Sequence, residues 1–131
     1  MSDTSIPSVL LRDVRLRLLH LHHALLEMQR KSFERIHGRV NGGELLQLVI
    51  NHEQFAWLRI ISALIVQIDE MLDADEPAGA AEMISLVAAA RQLFTETEDQ
   101  AFQQKYQAAL QQDSEVVLAH SALMKLLRSK F

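Results

Sequence analysis

The chain has 131 residues, 49% of them hydrophobic and 23% charged, with a formal net charge of −4 and no cysteine. That is enough chain for one domain with a real core, and residues 1–131 read as a single helical-bundle domain led by a flexible stretch, residues 1–7. The acidic balance excludes general nucleic-acid binding, which needs a basic patch to displace phosphate counterions, and the missing thiols exclude disulfides, thiol nucleophiles and Cys-type zinc sites.

The first element spans about Ser8 to His37, with Ser8 as N-cap behind Pro7. Leu11, Val14, Leu18, Leu21, Leu25 and Met28 repeat at spacings of three and four, a heptad seam, and Leu10, Leu19, Leu26 and Phe33 widen it. Glu27–Lys31 and Arg30–Glu34 are opposite charges one turn apart, which suits a solvated face. Gly38 fits a left-handed helix end. Gly42-Gly43 then marks the reversal of an antiparallel hairpin.

The returning helix is expected from about Glu44 to Leu72, central in the bundle, with Asn51-His52-Glu53 as a possible kink. Trp57, Ile61, Leu64, Ile68 and Met71 repeat the seam spacing, and Leu58, Ile65 and Leu72 add a second row. A turn centred at residues 40–41 sets Arg12 level with Asp69 and His22 level with Leu58–Arg59. Arg12 and Arg15 then offset an acidic helix end, where the dipole favours cations. A third helix starts near Pro77 and runs to about Phe94. Thr95-x-x-Glu98 has the form of a capping box, so a break or sharp bend is expected there. A fourth helix carries Phe102, Tyr106, Ala109 and Leu110, and a fifth, capped by Asp113 or Ser114, carries Val116, Val117, His120, Leu123, Met124 and Leu127. The fold class is therefore all-α: a long antiparallel helical hairpin with two or three shorter helices.

No secretory leader is visible at Met1–Ser5, and the most apolar stretch, Phe55 to Leu72, is interrupted by Arg59, Gln67, Asp69 and Glu70. The expectation is a cytoplasmic protein with no membrane span. Charge is uneven along the chain. Residues 1–60 hold eight Lys/Arg and six Asp/Glu, residues 61–131 hold five and eleven. That asymmetry can act within one chain or across a dimer.

Six histidines are the most unusual polar feature. His20, His23 and Glu27 share one helical face and offer imidazole and carboxylate ligands to a divalent metal, or else form a solvated stripe. His22, His52 and His120 fall among apolar residues and are candidates for a metal or haem-like cofactor, or for ordinary boundary positions. The hairpin register already separates His22 from His52. Di-iron and hemerythrin-like bundles resemble the chain in outline, but the Glu-x-x-His motif of the first is not expected here, only His23-x-x-x-Glu27 has the spacing of the second, and neither family is assigned. Trp57 and Arg59 are candidate interface anchors, or a core Trp beside a rim Arg. Ser62, in an apolar run, reads as a packing residue bonded to its own helix. There is no nucleophile elbow and no phosphate-binding loop. The leading functional expectation is a non-enzymatic interaction or regulatory protein, paired with itself as a homodimer or with another protein. The alternative is a bundle that binds a divalent metal or cofactor through its histidines.

Overall fold

The computed structural model describes residues 5–128 and is all-helical. Its elements are α1 (Ser5–His37), α2 (Gly42–Asn51), α3 (Glu53–Ala56), α4 (Arg59–Asp73), α5 (Ala80–Thr95), α6 (Gln100–Gln112) and α7 (Ser114–Leu127). Among the described residues no helix is long and apolar enough to cross a membrane.

α1 is the spine. Its 33 residues span roughly 50 Å at 1.5 Å per residue. The whole heptad seam, Leu11 through Met28, is buried, with Phe33 continuing it. α7, α4 and α5 all pack on this helix, α7 most extensively. The centre of the bundle is thus α1, not the returning arm. Ser5 to Pro7 form the first turn of α1 and Pro7 is buried, so the helix starts ahead of Ser8, which is not its N-cap. A proline is tolerated there because first-turn N–H groups have no intrahelical partner. Residues 1–4, the rest of the expected flexible lead-in, lie outside the described residues.

The reversal is built differently from the expected Gly42-Gly43 turn. Gly38 alone takes a left-handed φ, 85°, among the described residues, and its N–H donates to Glu34 O at 2.9 Å. Val40 follows, buried, and is clasped by α1: its N–H donates to Glu34 Oε2 at 2.9 Å and its carbonyl accepts from Arg30 at 3.0 Å. The Arg30–Glu34 pair therefore fastens the turn instead of decorating a solvated face. Asn41 then caps α2 in a capping box with Glu44, which places both glycines inside the first helical turn.

The returning arm is three helices, not one. His52 takes an extended conformation (φ −87°, ψ 134°) that ends α2 and caps α3. A turn at Trp57-Leu58 separates α3 from α4. Of the two rows, Leu58, Ile61, Leu64, Ile65 and Ile68 are buried, while Trp57, Met71 and Leu72 are half-buried; Phe55, outside both rows, is buried as well. α2 contains no buried residue; Leu45, Leu48 and Val49 only lean on the core.

Arg15, not Arg12, pairs with Asp69, so the arms meet about one helical turn deeper than a turn at 40–41 implies. Of the two arginines expected to offset the acidic end of α4, Arg15 makes the ion pair. Pro77 lies in the loop, and α5 begins at Ala80 behind Gly79. α5 and α6 are separate helices. The Thr95 capping box is not formed: Thr95 ends α5 and its hydroxyl donates back to Arg91 O at 2.8 Å, while Asp99 caps α6. Asp113 caps α7 through the N–H groups of Glu115 and Val116. At the far end of α7 the Arg91 guanidinium donates to Leu127 O, placing a cation where the helix dipole favours one.

Candidate functional site

The three histidines set among apolar residues each have their own place. His22 Nε2 lies 2.9 Å from Ser62 Oγ, joining α1 to α4. Ser62 Oγ also lies 3.5 Å from Leu58 O, the expected contact within its own helix. A hydroxyl donating to Leu58 leaves the Nε2–H of His22 as donor in the cross-helix bond. Burial, with a smaller contribution from His23, lowers the pKa of His22. His120 Nδ1 lies 2.7 Å from Tyr106 Oη, joining α7 to α6. Burial pushes the Tyr106 phenol's pKa up, so it stays protonated beside the imidazole. Burial and Arg128 together lower the pKa of His120.

His52 is the joint of the returning arm. Its Nδ1 accepts from Gln54 N at 3.1 Å, and its ring meets Phe33 edge-on at 5.3 Å. His37 stacks on the same Phe33 at 4.3 Å. His22, His52 and His120 are thus spread over three separate helix contacts. Among the described residues no three His, Asp or Glu side chains are grouped so as to hold a metal ion.

The other polar cluster does gain a setting. His20, His23 and Glu27 line a groove of about 560 Å³ between α1 and α7, with Arg17, Ala24 and Lys31 on the α1 wall. The α7 wall is Asp113, Glu115, Leu118, Ala119 and Ala122. α7 begins beside Met28 and Lys31, near the end of α1, so a helix packed along α1 from there must run antiparallel to it. Asp113 and Glu115 therefore sit at the Lys31 end and Ala122 toward Arg17. Glu27 is already paired, 3.7 Å from Arg30. Leu118, 65% exposed, projects from the α7 wall. The groove continues an outer row on α1, Ile6, Val9, Asp13, Leu16, His20, His23 and Glu27, which repeats at three and four residues like the buried seam. Ile6, Val9 and Leu16 are all exposed.

Trp57 and Arg59 sit in different settings. Trp57 is half-buried: its Nε1–H donates to Gln29 Oε1 at 3.0 Å, and its ring lies 5.9 Å from Phe102. Arg59 is exposed and donates to the carbonyls of Val49 and Ile50, capping the end of α2. One further pairing went unread in the sequence. Glu34 and His37 have the Glu-x-x-His spacing that di-iron bundles use, but here Glu34 holds the α1–α2 turn and His37 stacks on Phe33. The α7 wall of the groove was also missed; its signal is the spacing of Glu115, Leu118 and Ala122 along the outer face of α7.

Compared with known proteins, the chain matches no family model, no curated protein and no solved structure.

Proposed function

We propose that this protein works by binding protein, without catalysing a reaction, and that it acts as a homo-oligomer, in its simplest form a homodimer. The observation that supports this is how polar and apolar side chains are deployed. The polar groups that a reaction would need at half-buried positions are spent on the fold: His22 on Ser62, His120 on Tyr106, Trp57 on Gln29. Large apolar side chains, by contrast, stand outside it. Ile6, Val9 and Leu16 on α1, Leu46 and Ile50 on α2, and Leu118 on α7 are all exposed. Single exposed hydrophobic residues are ordinary. Rows of them at helical spacing are what helices present to other proteins. The metal or cofactor alternative rests on the histidines alone, and His22, His52 and His120 serve three different contacts.

Light scattering on size-exclusion fractions, from micromolar to millimolar protein, tests the reading. The expected mass at the upper end is twice the 14.9 kDa of one chain. A single-chain mass across the whole range overturns homo-oligomerisation. Elemental analysis of untagged protein tests the alternative, and stoichiometric zinc or iron would restore it.

A further inference from the structure

We infer that the α1–α7 groove is where a second copy of this chain docks, as an antiparallel two-fold dimer; this rests on the reading of the protein as a homo-oligomer. A two-fold interface is isologous, so the same patch serves both copies and must complement itself when turned end for end. The groove has that property. At one end lie Arg17, His20 and His23; at the other lie Glu27, Asp113 and Glu115, with Lys31 among them. Ala24, Leu118 and Ala119 occupy the middle, because antiparallel α7 brings Leu118 level with Ala24. From Arg17 to Lys31 the groove runs about 20 Å along α1, which sets the two charged ends well apart on either side of the apolar middle.

A two-fold axis through the middle sets the Arg17 end of one copy on the acidic end of the other, twice over. It also sets Leu118 opposite its own counterpart, where the small side chains of Ala24, Ala119 and Ala122 leave room for it. An apolar centre inside a charged rim is the usual anatomy of a protein interface.

The absence of cysteine makes the arrangement directly testable. Leu118→Cys places a thiol on the proposed axis, and under mild oxidation it should give a disulfide-linked dimer at micromolar concentration. Leu46→Cys, also well exposed, should not. In the otherwise native chain, Arg17→Glu and Glu115→Arg should each raise the dimer dissociation constant about tenfold or more, and high salt should weaken the dimer. The double variant, Arg17→Glu with Glu115→Arg, should recover most of the loss, since reversing both charges regenerates the pairing. Circular dichroism of each variant checks that these exposed positions leave the fold intact. A dimer that ignores both charge reversals and does not cross-link through Leu118→Cys overturns the groove while the homo-oligomer reading stands. A wild-type chain that stays single at every concentration overturns both.

Discussion

α2 and α4 belong to the same returning arm and are comparably apolar, yet their fates differ. α4 buries Ile61, Leu64, Ile65 and Ile68 against the bundle. α2 carries Leu45, Leu46, Leu48, Val49 and Ile50 in ten residues and buries none of them. The difference is the joint at His52. An extended residue there breaks the helical line, so α4 lies along α1 while α2 is carried off its path. Apolar content alone does not decide what is inside; a single backbone conformation at its end redirects a whole segment. α2 is held by its ends instead, by Asn41 at its start and by Arg59 on its last carbonyls.

Breaking a side-chain contact should therefore cost far more in α4 than in α2. Ile68→Ala empties a fully buried site and is expected to cost about 2–5 kcal/mol in urea unfolding. Leu46→Ala, at 57% exposure, should stay within about 0.5 kcal/mol. Equal losses at the two positions would mean that α2 is packed as α4 is.

Backbone changes at the ends of α2 should show the opposite emphasis. Gly38→Ala meets no neighbouring atom, so its cost is purely conformational, about 1–2 kcal/mol for an L-residue held at positive φ. Asn41→Ala removes a helix cap worth about 1 kcal/mol. Hydrogen exchange should show this second loss as faster exchange in α2 with α4 unchanged.

A smaller effect separates the histidines. His22 and His120 are held neutral, with folded-state pKa values below the ordinary 6.5. The folded protein then binds fewer protons than the unfolded chain, so the contribution of these groups is complete above about pH 6.5 and declines as pH falls below it toward the folded values. Urea midpoints taken from pH 7.5 to pH 5 should fall, and His22→Asn should flatten part of that fall. A slope unchanged by that substitution would remove His22 from the account.

The burial of the α1 seam was legible because helical periodicity is a local property: six residues at spacings of three and four need no knowledge of their partners. The caps at Gly38 and Asp113 were legible for the same reason. The register was not. Level pairing about residues 40–41 treats the return as one straight helix, and the breaks at His52 and at Trp57-Leu58 shift it by about a turn. Hence Asp69 meets Arg15 instead of Arg12, and His22 meets Ser62 instead of Leu58–Arg59. The site suffers most from this. His22 and Ser62 are forty positions apart, and the groove needs α7 laid antiparallel on α1, for which no neighbouring residues give a signal. His20, His23 and Glu27 could be read as one face of a helix, but the wall they confront could not.

The pairing of α1 with α7 has a consequence during synthesis. The leucine seam of α1 emerges from the ribosome well before its most extensive partner, with all five intervening helices to be made in between. Such a long-range closure slows folding relative to a bundle of sequential neighbours. Until α7 arrives, the nascent chain carries an amphipathic helix of roughly 50 Å with part of its apolar face uncovered, the kind of surface that chaperones hold and that aggregates when they do not.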